Sequence, residues 1–432
     1  MVRDSFPPPT APAVPAPSAA RRSFLKTAAA GAVAAGNWPG AHAADGTSRT
    51  LNLAVVGGGG QGRYVLGELS RAYKQSPDVP GCRVVAVCDV DADRLRDLAR
   101  DARDRNREAG LPEPVAAFAD YHELLRKTGD LDAVLVATPG HQHAGPAVAA
   151  CDAGLAVYCE KPLANSEEDC DAILAAADRN GTVFQVGTHE RSNPRVRRAC
   201  ELVRGGVLGE LREIILHLPT AGGHHRAVKR LPPGAAVRVP PASLDYDAWL
   251  GDAAERPAAW PEMNRRRGAS AGPHFWWRFK HAFGGGELTD RGAHVLDIAQ
   301  LATGRDDADD WRPTALTAAG AVPDGFYDAV LDYEFALTFP SGPKYLGTTA
   351  GERGVRFVGE AGELFVAVHG GKLAATPAAI LDADAPETLG RVPSHHANFL
   401  TAAAGRAAPT APTRAGHRTA VLCHRINATL RA

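Results

Sequence analysis

The run Leu51–Val56 (LNLAVV) passes directly into Gly57-Gly58-Gly59-Gly60-Gln61-Gly62, and nothing else in the 432 residues restricts the fold as tightly. An apolar run with one polar break reads as a strand buried on both faces. A helical stretch from Arg63 to about Tyr73 follows the glycines. Gly57, Gly59 and Gly62 fit G-x-G-x-x-G. In that pattern the first glycine allows a tight turn, the second lets backbone approach a pyrophosphate, and the third lets helix and strand pack closely. Gly60 and Gln61 belong to the same turn, and the N-terminus of the helix after it supplies free N–H groups and a positive dipole end that favour phosphate.

A second strand, Arg83–Cys88, ends in Asp89, which is 27 residues beyond Gly62. The usual spacing is about 20, and the Pro/Gly-containing loop at 77–81 accounts for the excess. An acid there can bind ribose hydroxyls and repels a 2′-phosphate, which favours NAD over NADP. The competing reading is that Asp89 merely caps the helix beginning near Asp91. The alternation continues through a helix from Asp120, a strand Ala133–Ala137, the loop Thr138-Pro139-Gly140-His141-Gln142-His143, and a helix Ala144–Ala153. Strand Ala156–Cys159, Glu160-Lys161-Pro162, helix Ser166–Arg179 and strand Val183–Val186 complete it. This predicts an α/β Rossmann domain, a doubly wound parallel sheet, over 50–188.

From His189 the pattern changes. Strand-like runs at 211–218, 314–320, 330–339, 344–349, 355–358 and 363–368 follow one another with few helices between them. They predict a mostly antiparallel sheet in an α+β domain over 189–432, concerned with substrate and oligomerisation. Helices are expected at 193–204, 243–250 and 290–302, and closing helices at 395–400 and 413–430. Residues 219–285 hold many Pro, Gly, Arg and Trp residues with little periodicity. So long an irregular segment is expected to cover substrate or wrap a partner subunit. An exposed sheet face here would suit a homo-oligomer.

Residues 1–43 do not read as fold. A Pro/Ala-rich start, Arg21-Arg22-Ser23-Phe24-Leu25-Lys26, a mildly apolar alanine-rich stretch and Ala41-His42-Ala43 make a twin-arginine export signal. The expected partner during export is the twin-arginine translocase, and the expected location is the periplasm or beyond. The segment is too short and too weakly apolar for a stable membrane span. Formal net charge is -1, so no global field recruits nucleic acid, and Arg265-Arg266-Arg267 is too short a basic run to be more than a solvated loop. The seven cysteines are odd in number and lack a CxxC, which favours buried free thiols over a disulfide framework.

Several side chains carry chemistry. Lys161 follows a buried strand at the ligand edge of the sheet, where it can bind a hydroxyl or carbonyl oxygen and stabilise developing negative charge. Asp290 and His294 are four apart, so on a helix they share one face. They can bind a polyol and take its proton, or they can be a cap and a packed histidine. Asp297 can pair within its own helix. Arg191 follows the domain switch and is a substrate-binding candidate. His141 and His143, like His224-His225 and His395-His396, lack the three or four ligands a metal needs, so no metal is expected.

The glycine turn, Thr138-Pro139-x-x-x-His143, Glu160-Lys161-Pro162, Gln185-Val186-Gly187-Thr188 and the block Gly284–Asp297 resemble the glucose–fructose oxidoreductase/inositol dehydrogenase (Gfo/Idh/MocA) family, in particular its exported branch. The resemblance implies that Lys161 is catalytic, that His294 is the base, and that Asp290 is a substrate or orienting ligand. It also implies cofactor contacts from Thr138, Pro139, His143, Glu160, Lys161, Gln185 and the pair Trp277-Arg278. The expected activity is hydride transfer between NAD and a sugar or inositol-like polyol. An alternative is an exported NAD-dependent glycosidase that oxidises, eliminates and re-reduces. One branch with that activity has valine in place of the GluLysPro lysine, so Lys161 favours the dehydrogenase. A non-catalytic nucleotide-binding protein is the third reading, and the presence of Lys161, Asp290 and His294 argues against it.

Overall fold

The computed structural model describes residues 50–263, 272–369 and 371–432. The export segment and the basic run at 265–267 lie outside the described residues. No described helix is long and apolar enough to cross a membrane.

Strands β1 (Leu51–Val56), β2 (Cys82–Cys88), β3 (Ala116–Phe118), β4 (Ala133–Val136), β5 (Ala156–Cys159) and β6 (Phe184–Val186) form one parallel sheet. Their order is β3-β2-β1-β4-β5-β6. It is sandwiched by α1 (Gly60–Gln75), α2 (Ala92–Glu108), α3 (Tyr121–Lys127), α4 (Ala144–Asp152) and α5 (Glu167–Asn180). This is the doubly wound Rossmann order, and both sheet faces are covered, which is why β4 and β5 are buried at every residue. The strand order reverses between β1 and β4, and their carboxyl ends open a crevice there. Local signals set the helix ends. Ser166 caps α5 above three acidic residues, and Gly181, in the left-handed region, stops it.

The next elements are α6 (Pro194–Arg204), β7 (Leu211–His217), α7 (Gly223–Lys229), β8 (Val237–Arg238), α8 (Tyr246–Leu250), β9 (Trp260–Pro261) and α9 (Pro273–Trp276). They lead to α10 (Gly286–Asp290) and α11 (Gly292–Thr303). Strands β10 (Ala315–Gly320), β11 (Tyr333–Thr338), β12 (Lys344–Thr348), β13 (Gly354–Gly359), β14 (Gly362–Ala367) and β15 (Leu373–Thr376) join β7 in a second sheet, ordered β10-β11-β12-β7-β13-β14-β15. Only the β12–β7 pairing is parallel. Tyr333, Phe335 and Leu337 of β11 alternate inward, and α6, α11 and α13 (Thr413–Arg431) pack on that sheet.

Three departures from the sequence reading bear on function. The helix expected over 290–302 is two helices, with Arg291 between them. Gly285 and Gly286 adopt positive φ at the cap and first residue of α10, and Thr289 Oγ1 donates back to Gly284 O and Gly286 O, so this turn closes on itself. Helix α12 (His395–Ala403) and α13 return to the first sheet: α12 packs on α1 and α13 on α5. The Val186 N–H donates to Ala411 (2.8 Å), which covers the β6 edge. The aperiodic 219–285 segment builds its own aromatic core from Trp249, Trp260, Trp276, Phe279 and Phe283. It is strapped to the loop after β2 by Ala92 N to Ser243 O (2.8 Å) and Asp245 N to Val90 O (2.9 Å). All seven cysteines are buried free thiols.

Candidate active site

A cleft of about 750 Å³ opens at the carboxyl ends of β1 and β4 and runs to the second sheet's layer. At one end is the glycine turn. Gly57 has φ +104, and a Cβ there would sit 2.6 Å from the Ala137 carbonyl. A Cβ on Gly62 would sit 2.0 Å from Gly57 O, which is the close helix–strand approach the third glycine permits. A Cβ on Gly60 would meet nothing within 4 Å, so the outer face of the turn is open at the first turn of α1. Open backbone at a 16-residue helix N-terminus fits a pyrophosphate.

Asp89 lines this end. Its Oδ2 accepts from Gly58 N (2.6 Å) and its Oδ1 from Asp91 N (2.8 Å). The cap of α2 is Asp91, which accepts from the backbone of Asp93 and Arg94. The capping alternative for Asp89 is thereby removed. Burial raises its carboxyl pKa, opposed by those two backbone N–H groups and by Arg94. Arg94 reaches over the turn, with Nη1 3.1 Å from where a Gly59 Cβ would stand. Thr138 and Pro139 also line the cleft. Gln61 Nε2 donates to Glu160 Oε1 (2.9 Å), which ties α1 to the end of β5.

Lys161 and Asp290 meet in the middle of the cleft. Lys161 Nζ lies 2.6 Å from Asp290 Oδ1, and Arg278 Nε lies 3.8 Å from Oδ2. Burial works against the charge on Asp290, but Lys161, Arg278 and Arg291 outweigh it and hold the carboxyl well below its usual range. Arg278 lies over the Trp277 ring, 4.5 Å from its centroid. His294, on α11, is 2% exposed and lines the same cleft. Its Nδ1 has no partner among the described residues. Burial, then Lys161 and the imidazoles of His189 and His369, push its pKa well below the ordinary value. Asp290 and His294 thus sit on successive helices rather than on one face of one helix, yet both reach the cleft.

Residues 51–188 match the description "oxidoreductase family, NAD-binding Rossmann fold". The matching model is that of the Gfo/Idh/MocA family. Inositol 2-dehydrogenase 3 of Saccharopolyspora erythraea is 37% identical over 161 residues, 37% of this chain and 42% of that protein. The 2,7-anhydro-N-acetylneuraminate hydratase of Mediterraneibacter gnavus is 32% identical over 163 residues, 38% of each chain. The matched part is less than half the length of these curated relatives. Similarity of fold extends further. The Bordetella pertussis WlbA dehydrogenase, solved with NADH and UDP-GlcNAcA, superposes with TM-score 0.59 at 19% identity, covering 89% of this chain and 97% of that one. Levoglucosan dehydrogenase, solved with NADH and levoglucosan, gives TM-score 0.59 at 17% identity, covering 89% and 98%.

Within this fold, two expected site residues lie elsewhere. Arg191 does not line the cleft. It is 2% exposed, with Nε 2.7 Å from Asp297 Oδ2 and Nη1 2.7 Å from Asp306 Oδ2. The guanidinium lies between two buried carboxylates, and Asp297 pairs across elements rather than within its helix. Gln185 is fully buried, and its Nε2 donates to His395 O (2.7 Å), so it joins α12 to β6 instead of meeting a cofactor. His143 borders the cleft, but its Nδ1 faces Pro162 O (2.8 Å) and its Nε2 Thr138 O (2.9 Å). It therefore clamps the two loops. His141 turns away to Trp249 O (2.9 Å).

Sequence reasoning missed Arg94, His189, Arg291, Arg353 and His369, which all line the cleft. Arg94 was within reach, since it stands in the first turn of a helix that starts just after Asp89. Arg291 and Arg353 converge on Glu287, at 2.6 and 3.3 Å, together with His225 at 2.7 Å. These residues are up to 128 positions apart in sequence, and no local pattern joins them.

Proposed function

We propose that the chain is an NAD-dependent oxidoreductase that moves a hydride between nicotinamide and a hydroxyl-bearing carbon of a sugar or inositol-like polyol. The observation that carries this is the convergence of Lys161, Asp290 and His294 in the cleft that begins at the glycine turn. The glycine turn, Asp89, Thr138, Pro139, Glu160 and the Trp277-Arg278 pair are the residues that would hold the cofactor. Bound there, NAD would supply the hydride acceptor or donor.

The chain's own groups have separate tasks. Asp290, kept charged by its cationic neighbours, accepts hydrogen bonds from substrate hydroxyls. Lys161 donates to the oxygen on the reacting carbon and stabilises the charge that grows there. His294, whose Nδ1 has no protein partner among the described residues, takes the hydroxyl proton. The aromatic 219–285 segment lies over the cleft through Trp249 and Phe275 and reduces water access. The named activities of the inositol and levoglucosan dehydrogenases support a sugar or polyol as substrate.

The glycosidase alternative uses the same cleft, and Lys161 in the GluLysPro run favours the dehydrogenase. The deciding experiment supplies sugars, inositols and aryl glycosides to the protein with NAD. It follows the reduced-nicotinamide absorbance and aglycone release together. Reduced cofactor without aglycone supports the dehydrogenase. Sustained aglycone release without net reduction assigns the glycosidase, and neither signal across the panel refutes both. The paired arginines Arg21-Arg22 and the Ala41-His42-Ala43 sequence support export through the twin-arginine route. Export is checked by whether Arg22→Lys with Arg21→Lys traps an uncleaved chain in the cytoplasm.

A further inference from the structure

Beside His294, two half-exposed imidazoles face one buried carboxylate. Glu190 is 3% exposed. Its Oε1 lies 3.6 Å from His189 Nε2 and 3.9 Å from His369 Nε2. One ligand atom from each of the three residues falls within 4.8 Å of the others. Zinc bonds to nitrogen and oxygen of about 2.0–2.2 Å in a tetrahedron place ligand atoms roughly 3.3–3.5 Å apart. Two of the three separations are within about half an ångström of that value, so small side-chain rotations close the set.

A buried carboxylate needs a cationic or hydrogen-bonding partner. Among the described residues no lysine or arginine pairs with Glu190. It accepts from Asn193 Nδ2 (2.9 Å) on Oε2 and from the His369 backbone N–H (3.2 Å) on Oε1. Ligating carboxylates are oriented by outer partners in the same way. The nearby cations are already engaged: Lys161 with Asp290 and Arg353 with Glu287. His369 also has φ +59, and Asp130 is the other described non-glycine residue with positive φ. Backbone held in that region is concentrated at functional positions.

We propose that His189, Glu190 and His369 form a divalent-cation site of the zinc class, with an open coordination position facing the cleft. Two histidines and one glutamate with a fourth position free is a catalytic rather than a structural zinc arrangement. The imidazoles line the cleft at 35% and 38% side-chain exposure, so the open position is accessible. The His294 ring stands 5.0 Å from that of His189 and 4.9 Å from that of His369, centroid to centroid. A substrate oxygen on the metal would therefore be close to His294. The site goes beyond the proposed hydride transfer, and metal binding is measured without turnover.

The test uses the full-length chain purified without an affinity tag, stripped with chelator and titrated with Co²⁺ and then Zn²⁺. The expected result is one Co²⁺ per chain, with the intense visible band of a four-coordinate ion, displaced by Zn²⁺. His189→Ala and His369→Ala each weaken binding by more than the about 10–100-fold cost of losing an outer partner. Glu190→Gln, nearly isosteric, removes the carboxylate ligand and lowers affinity likewise. His122→Ala, at an exposed position on α3, leaves binding unchanged. The melting temperature of each variant reports whether the fold is intact. Absence of Co²⁺ binding by the parent chain overturns the proposal, as does undiminished binding in folded His369→Ala or Glu190→Gln.

Discussion

Lys161 Nζ lies 2.6 Å from Asp290 Oδ1 and 3.0 Å from the Asp290 carbonyl oxygen, so one lysine at the end of β5 holds both the side chain and the backbone at the end of α10. The contact joins the nucleotide sheet to the second layer at the point where substrate would lie. Lys161→Ala removes the donor proposed to meet the reacting oxygen. We expect kcat to fall by about 10²–10³, the usual loss for one charge-stabilising donor. Asp290 keeps Arg278 beside it, and the glycine turn is untouched, so NAD affinity should hold within about threefold on general additivity grounds. Nicotinamide fluorescence titration and steady-state rates separate the two. Retained kcat, or loss of NAD binding, would show that Lys161 has another task.

Asp89 presents a carboxylate whose two oxygens each already accept one backbone N–H, which fixes its orientation at the end of the cleft where the cofactor ribose is proposed to lie. Asp89→Ala removes a charged hydrogen-bond partner, a loss of about 1.5–3 kcal/mol, or roughly 10–150-fold in NAD affinity. Arg94 stays beside the turn and can meet a 2′-phosphate. NADP binding should therefore improve as NAD binding weakens. Comparing dissociation constants for the two cofactors checks this. Equal weakening of both would mean that Asp89 acts only through loop structure.

Gly62→Ala tests the turn itself. The added methyl would stand 2.0 Å from Gly57 O, which is backbone and has no rotamer to yield. Either α1 shifts away from β1 or the turn opens. Overpacking of this kind costs about 1–3 kcal/mol. The expected outcome is a lower melting temperature together with NAD affinity reduced at least about tenfold, because the phosphate-facing N–H groups move with α1. Gly60→Ala, which meets no atom within 4 Å, should keep its stability and lose affinity only where the methyl faces cofactor.

The first sheet was legible because its central strands are buried on both faces and carry apolar runs, broken in β1 only at Asn52, and because glycine turn, acid and GluLysPro stand at strand ends. Local chemistry at these ends is enough to place Gly57, Asp89 and Lys161 together. The break at Arg291 was not legible, since the apolar spacing of 290–302 suits a continuous helix and only the geometry of Gly285, Gly286 and Thr289 closes α10 early. Arg191 was misread for a related reason. Its place just after β6 is near the cleft in sequence, but its partners, Asp297 and Asp306, come from α11 and the turn that follows it. His189 and His369 are 180 residues apart and meet only because β14 returns beside β6's exit.

The Arg191 correction can be measured. Its guanidinium is 2% exposed and lies between Asp297, 1% exposed, and Asp306, 8% exposed. Removing the cation leaves two buried carboxylates facing each other, and breaking such a set costs about 3–5 kcal/mol. Arg191→Met should lose that much in urea unfolding, with m unchanged if the transition stays two-state. Because Arg191 does not reach the cleft, kcat and KM per folded molecule should stay within about twofold, as for sites without shared partners. Replacing the set together, as Arg191→Met with Asp297→Leu and Asp306→Leu, removes the stranded charges and should recover most of the stability. A stable Arg191→Met enzyme with a sharply raised KM would instead return Arg191 to the substrate site.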